Sequence, residues 1–500
     1  MDSTERNKKY IIAIDQSTSA SKIMLFSQKA ELVYRLSYPH KQFYPQDGFV
    51  EHDAVEIFTN VIKGLEQIVS ETKIPLSEIA GISITNQRET ALIWDKTTGI
   101  PVANAAVWQC QRGADFCAEL RNKNMSGLIK EKTGLVIDPY FSASKLKWMI
   151  DHIPGVKEKA DKEELLLGTI DSWLLWKLTN GKVHATDYTN ASRTMLFNIH
   201  TLEWDHELAE MFGLPESMFP EVRYSDEIFG YTNPNVVFET ELPIAGLIGD
   251  SHGALFGQTC FEPGTGKGTY GTGSSVMMNI GNEVLNPPKG LVTSIGFSCN
   301  NQISYVFEGN IHCTGDTLNW LKEIGLVSDP TETEDLAISV EDNNGVYFVP
   351  AFVGLGAPYW DNQSRATLSG MPRNTTKAHI VRAALESIAY QVKDLVDLMG
   401  SQGDIRLKQL NVDGGPTRND FLMQFQADMI QGKVICSKIE EFSALGATFL
   451  AGLAFGVWKN MGELKTLKVI DREFISEMEI DEVNKLNKGW NKAVERARLI

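Results

Sequence analysis

YIIAIDQSTSASKIMLF, residues 10–26, sets an apolar run, a hydroxyl-rich turn and a second apolar run in succession. The runs YIIAI (10–14) and KIMLF (22–26) read as two strands of a hairpin. The turn carries Ser17, Thr18, Ser19 and Ser21, and one carboxylate, Asp15, stands just ahead of it. Its amides and hydroxyls can donate to a phosphate. Asp15 can hold Mg2+ through waters, because that ion takes few carboxylate oxygens and keeps much of its hydration. The alternative is a hairpin whose hydroxyls only satisfy turn amides. The stretch is not a Walker-type loop, since it lacks the lysine–hydroxyl pair and no helical pattern follows. GTGKGTYG (264–271) misses that motif too, because Gly268 follows Lys267.

Outward from the hairpin, apolar residues recur at helical spacing over 54–72, and IAGISIT (79–85) reads as a buried strand. ALIWD (91–95) reads as another strand, followed by the turn KTTG. KVICS (433–437) is a late strand, and SALGATFLAGLAFG (443–456) an apolar helix. The alternation predicts an α/β protein with helices packed on sheets. Five hundred residues exceed one core, so two domains are expected, with a junction in the Gly- and Pro-rich stretch 246–275. Beyond it, GTYGTGSSVMMNIG repeats the outline of the opening hairpin, which hints at a duplicated core.

The formal charge of −17 argues against general affinity for nucleic acid or an anionic membrane. It leaves room for a small anion, because local N–H groups and a metal can reverse the field at one site. The N-terminal MDSTERNKKY has no apolar core, and no stretch reaches membrane-spanning length. Six scattered cysteines without a C-x-x-C pair predict reduced thiols in a cytoplasmic protein. The nine histidines show no H-x-x-x-H spacing that would point to a transition metal.

Three further stretches can carry chemistry. In ITNQRETALIWD (84–95), Arg88 and Glu89 follow a strand end, where one can donate to and the other accept from the hydroxyls of a polyhydroxylated ligand. They can equally form a surface ion pair. In AAVWQCQR, Trp108 can pack against a carbon skeleton beside Gln109, Gln111 and Arg112, or simply belong to the core. In GLIGDSHGALFGQ (246–258), Asp250 at a strand end suits proton removal from a hydroxyl, or else helix capping. Glycine clusters YGTG (270–273), EGNIHCTGDTLNW (308–320) and VDGGPTRN (412–419) allow close backbone approach to a nucleotide. With Asp15 and Asp250 they describe a cleft lined by two domains.

Taken together, IDQSTS, ITNQRET, VWQCQR, TGLVIDPYFSASKLKW, DYTNASRTMLFNI, GAPYWD and VDGG resemble the FGGY carbohydrate-kinase family, in its glycerol-kinase branch, over nearly the whole chain. The resemblance implies two actin-like, ribonuclease-H-like α/β domains with an inter-domain active-site cleft. Residues 1–257 would form the polyol-binding domain with the catalytic base, and 258–500 the nucleotide-binding domain. It implies ATP and Mg2+ as cofactors, Asp15 as the metal-associated residue, and Ser17, Thr18 and Ser19 as phosphate contacts. Arg88, Glu89, Trp108 and Tyr140 would line the polyol pocket, and Asp250 would be the base. Thr272, Gly315, Asn319, Gly415 and Asn419 would bind nucleotide. A dimer or tetramer is the expected assembly.

The chain departs from the family at several points. DQSTSASK stands where DQGTTSSR is usual, so Ser17 replaces a glycine, Ser19 a threonine and Lys22 an arginine. GDSHGALFGQ stands for GDQQAALFGQ, putting Ser251 in place of a substrate-contacting glutamine, followed by His252. Ser275 stands where a phenylalanine is usual. Glycerol is the expected acceptor. A larger polyol of erythritol, ribitol or xylitol type is the alternative, because two serines widen the pocket and His252 can bond an extra hydroxyl or face elsewhere. A non-catalytic actin- or Hsp70-like ATP-binding module is the alternative of another class.

Overall fold

The structure, a computed structural model, describes residues 8–402, 405–439 and 441–499; residues 1–7 of the polar N-terminal stretch lie outside them. The chain forms two compact units. The first takes the residues up to Thr259 together with Ser294–Tyr305 and Glu441–Lys468, and the second takes the remaining described residues. The units part after Thr259, and two later segments return to the first, where the sequence reading drew one division at 257/258.

The sheet of the first unit is built on β1 (Tyr10–Gln16), β2 (Ala20–Ser27), β3 (Leu32–Pro39), β4 (Ile79–Asn86), β5 (Ile228–Tyr231) and β6 (Pro243–Gly249). Its order is β5-β6-β4-β1-β2-β3. β1 to β3 form an antiparallel meander, β4 pairs parallel with both β1 and β6, and β5 closes the edge antiparallel. The expected hairpin is therefore present, with Asp15 directly opposite Lys22. Ile11, Ile12, Ala13 and Ile14 are all buried, as a central strand covered on both faces requires. One covering is α1 (Ala54–Thr72), whose Ile57, Val61, Leu65 and Ile68 repeat at helical spacing in one core with Ile12, Ile14, Ile23 and Leu25. Each such side chain, fully buried, contributes about 1.5–3 kcal/mol. Asp53 starts α1 by accepting from the amides of Val55 and Glu56. Further helices are α2 (Ile170–Leu178) and α3 (Asp250–Gly257).

A seven-stranded sheet uses β7 (Thr265–Tyr270), β8 (Ser274–Gly281), β9 (Val292–Cys299), β10 (Gln302–Ile311), β11 (Gln409–Asp413), β12 (Lys433–Ser437) and β13 (Ile470–Ile475), in the order β9-β10-β8-β7-β11-β12-β13; apart from Ser294–Tyr305, which counts with the first unit, these strands belong to the second. β7 pairs antiparallel with β8 and parallel with β11, as β1 does with β2 and β4. The repeated outline seen in the sequence is thus a repeated strand arrangement, and both sheets have the ribonuclease-H-like α/β form. α4 (Gly315–Glu323), α5 (Lys377–Gly400) and α6 (Asp420–Ile430) belong here. The chain then re-enters the first unit as α7 (Phe442–Ala454). α7 crosses α3 at backbone contact: a Cβ on Gly446 would lie 1.9 Å from the Gly253 carbonyl oxygen, and one on Gly257 2.4 Å from that of Phe442. These glycines fix where the first residues of both helices stand.

Candidate functional site

In the first unit the turn after β1 is closed by Ser17, whose amide and hydroxyl both donate to the Ala20 carbonyl at 2.9 Å. The Ser17 hydroxyl is therefore occupied within the turn. The Thr18 hydroxyl accepts from the indole Nε1 of Trp108 at 3.0 Å, and the Thr18 carbonyl accepts from His40 Nε2 and Gln42 Nε2. Ser19 is exposed. Among the described residues the amides of Thr18 and Ser19 have no acceptor, which leaves two N–H donors for an anion.

Asp15 is 4% exposed at the end of β1. Burial pushes its carboxyl up to about 6; Lys22 opposes that shift, while the charges of Glu441 and Asp250 add to it. Mg2+ is met by one or two carboxylates with phosphate oxygens and water, so a buried, incompletely neutralised carboxylate beside an amide-lined turn fits that ion. Among the described residues no group of three or more acidic, histidine or cysteine side chains is placed to hold a metal ion by itself, and an ion held largely by phosphate and water requires none.

Arg88 and Glu89 do not pair with each other. They follow β4 in a turn where Glu89 takes a left-handed backbone, φ 61°. Arg88 Nε lies 3.2 Å from Asp250 Oδ1, and Glu89 Oε1 accepts from Arg193 Nε at 2.6 Å. Arg88, Glu89 and Arg193 are 6%, 1% and 2% exposed, so the surface ion pair considered from the sequence is not what forms. Trp108 and Tyr140 meet edge to face, 5.6 Å between centroids. The loop of Tyr140 is clamped by buried Lys145, whose ammonium donates to the carbonyls of Pro139, Tyr140 and Phe141. Burial lowers that ammonium to about 8.

Asp250 opens α3. Gly249, not Asp250, takes the capping position; its amide donates to Thr189 Oγ1 at 3.0 Å. Thr189 in turn bonds Asp187, a buried carboxylate that also receives Asn190 and Ser225. This polar network fixes the end of β6, and Asp250 projects from it with its side chain 36% exposed. A carboxylate held by Arg88 yet open to solvent can orient a hydroxyl and take its proton. Ser251 is half-buried beside it, its amide bonded to Asp250 Oδ1 at 2.6 Å. His252 is fully buried and meets Ser294 Oγ at 3.2 Å, so of the two placements left open it takes the one facing the interior.

In the second unit a cavity of about 450 Å³ is lined by Thr272, Gly315, Asn319, Gly415 and Asn419, the five residues expected at a nucleotide, together with Leu318, Pro330 and Arg418 among others. Backbone bonds tie its turn to α4: the amides of Thr314 and Gly315 donate to the carbonyls of Thr272 and Gly271. Gly414 adopts φ 104°, ψ 170°, a region open only to glycine. Asn419 caps α6 through Leu422 and donates to Thr333. Ser274 bonds Thr314 at 2.7 Å, while the buried Ser275 hydroxyl has no partner among the described residues.

Arg193, Lys145 and Glu441 were not singled out in the sequence, although DYTNASRTMLFNI and TGLVIDPYFSASKLKW contain the first two. Their charged ends act on residues far along the chain or on backbone carbonyls, which no local spacing reveals.

Residues 10–257 match the N-terminal domain, and residues 266–455 the C-terminal domain, of the FGGY family of carbohydrate kinases. The chain is 49% identical over 490 residues to glycerol kinase 2 of Thermotoga maritima, covering 98% of this chain and 99% of the relative. It is 49% identical over 488 residues to glycerol kinase of Shewanella frigidimarina, covering 97% of each. The solved structure of Plasmodium falciparum glycerol kinase with ADP superposes with a TM-score of 0.93 at 38% identity, over 98% of both chains.

Proposed function

This chain belongs to the FGGY family of carbohydrate kinases, and on that premise we propose that it transfers the terminal phosphoryl group of ATP to glycerol, giving glycerol 3-phosphate. The observation that carries this reading is Asp250: an accessible carboxylate held by Arg88, in the unit that also holds Glu89, Trp108 and Tyr140. Similarity at 49% identity to proteins named glycerol kinase, over almost the entire chain, supports the choice of acceptor.

In this reading Arg88 donates to, and Glu89 accepts from, acceptor hydroxyls, while the edge-to-face Trp108–Tyr140 pair packs on the carbon skeleton. Asp250 orients the reacting hydroxyl and receives its proton late, since the transferred group passes through a loose transition state. The free amides of Thr18 and Ser19 bind phosphate oxygens. Asp15 would hold Mg2+, which supplies charge neutralisation on the phosphates when bound. The glycine-lined cavity of the second unit takes the nucleotide. None of the six cysteines is in a disulfide and all are buried, and no described helix is long and apolar enough to cross a membrane. We place the enzyme in the cytoplasm, as a homo-oligomer that light scattering would size.

Asp250→Asn tests the reading. Phosphorylation of glycerol should fall by about 10²–10⁴, the usual contribution of a general base, with ADP binding by calorimetry retained. Unchanged turnover would remove Asp250 from the chemistry and favour a nucleotide-binding module. A larger acceptor is favoured by one observation, the unpartnered Ser275 hydroxyl. Comparing kcat/KM for glycerol, erythritol, ribitol and xylitol decides between them.

A further inference from the structure

Glu441 stands 419 positions beyond Lys22, yet the two are bonded: Glu441 Oε2 accepts from Lys22 Nζ at 2.8 Å. Its other oxygen, Oε1, meets Arg35 Nη1 at 2.7 Å. With both oxygens engaged, the carboxylate has a fixed direction. Its backbone is fixed as well, because Glu441 immediately precedes α7, which Gly446 and Gly257 lock against α3. Lys22 has a second acid within reach, Asp15 Oδ2 at 3.4 Å. The register sets Asp15 and Lys22 opposite each other on neighbouring strands, where opposite charges attract. The ammonium nevertheless stands closer to Glu441.

We propose that Glu441 is a positioning residue that draws Lys22 away from Asp15, keeping the Asp15 carboxylate available to a divalent cation while the ammonium stays beside the turn. The proposal rests on the reading of Asp15 as the metal-associated residue. Without Glu441, Lys22 has one acid left and closes on it, so an incoming cation must displace an ammonium. A second effect would also follow from losing Glu441, because one negative charge leaves the neighbourhood. The two effects differ in whether they require Lys22.

The test is Mn2+ binding to the full chain with saturating ADP, read from the free-ion electron paramagnetic resonance signal and corrected with a protein-free titration. Glu441→Gln should weaken Mn2+ binding by roughly tenfold, the scale of one partly buried charge pair. In a Lys22→Met background the same substitution should change it by less than about twofold, because no competitor remains. Glu441→Asp, which keeps the charge, should recover most of the affinity, with thermal melts confirming that each variant is folded. Equal losses with and without Lys22 would overturn the proposal, as would an Asp variant as weak as the Gln variant. Asp15→Asn separates this proposal from its premise. If it abolishes Mn2+ binding while Glu441→Gln leaves binding unchanged, only the role of Glu441 falls; if it changes nothing, the assignment of Asp15 falls and the proposal with it.

Discussion

The two units place a hairpin turn at the same station of their sheets, between β1 and β2 and between β7 and β8, and build it from opposite materials. The first is fixed and charged by side chains: Ser17 closes it, Thr18 ties it to Trp108, and Asp15, Lys22 and Glu441 form a chain of alternating charge beside it. The second is fixed chiefly by the main chain, with one side-chain bond, Ser274 to Thr314, at its exit. The Gly271 amide donates to the Gly273 carbonyl, and glycines stand where a Cβ at positions 273, 315 or 414 would fall 2.3, 2.7 or 2.0 Å from a carbonyl oxygen. The first turn is thus built with charged and hydroxyl side chains and the second with glycine backbone. A change of charge should therefore damage chemistry in the first turn, and a change of volume should damage structure in the second.

Gly414→Ala is the severest test of that contrast. The new methyl would sit against the Tyr270 carbonyl, on a backbone that only glycine adopts. A loss of at least about 4 kcal/mol is expected, with ADP binding lost, because overpacking and strain at such a φ add. Asp15→Asn in the first turn should leave the melting temperature nearly unchanged, since it removes a charge that burial already disfavours. Denaturation of both variants checks this, and a comparable loss of stability in Asp15→Asn would erase the distinction.

Arg193→Met comes next. It leaves Glu89 buried without its cation, at a cost of about 3 kcal/mol in urea unfolding. It should also raise KM for the acceptor more than it lowers kcat, because Glu89 is proposed to bind hydroxyls and not to move the phosphoryl group.

What the sequence disclosed follows the range of the forces involved. The opening hairpin, α1, β4 and β12 were legible because each is written in local periodicity: continuous apolar runs for buried strands, and 3.6-residue spacing for α1. The five residues expected at a nucleotide were grouped through the family resemblance, the glycines among them also as turn signals, and they line one cavity. Arg88 and Glu89 were visible as a charged pair, but adjacency suggested a mutual bond, whereas Arg88 meets Asp250 and Glu89 meets Arg193. Arg193 and Glu441 were silent, since their partners lie 104 and 419 positions away. Lys145 was silent because it bonds carbonyls, and every residue has one.

The pH response should be smaller than the loss from Arg193→Met. Burial holds His184 down at about 4, and burial with the charge of His40 holds His52 at about 3, while an unfolded histidine titrates near 6.5. Between those limits the unfolded chain binds more protons, so these histidines stabilise the protein at neutral pH and the contribution is lost as pH falls below about 6.5. Asp15 and Asp171, both raised to about 6 by burial, work in the opposite direction over about pH 4 to 6. His184→Gln should therefore flatten the acid limb of stability by on the order of 2 kcal/mol at pH 5. Urea unfolding at pH 7, 6 and 5 reads it, and a wild-type and variant difference that stays constant with pH would contradict the assignment.

The mildest comparison pits matched threonines against each other. Thr18→Val removes the acceptor of the Trp108 indole N–H. It should cost about 1 kcal/mol, as the loss of one hydrogen bond does, and raise KM for the acceptor several-fold as Trp108 loses its anchor. Thr272 occupies the corresponding turn of the second unit, where its carbonyl accepts from Thr314 and Asp316 and its side chain forms no bond among the described residues. Thr272→Val keeps that carbonyl, so its unfolding free energy should stay within about 0.5 kcal/mol of the parent, as surface changes usually do. If Thr272→Val costs as much as Thr18→Val, side chains support both turns alike, and the division between a charge-built and a backbone-built copy does not hold.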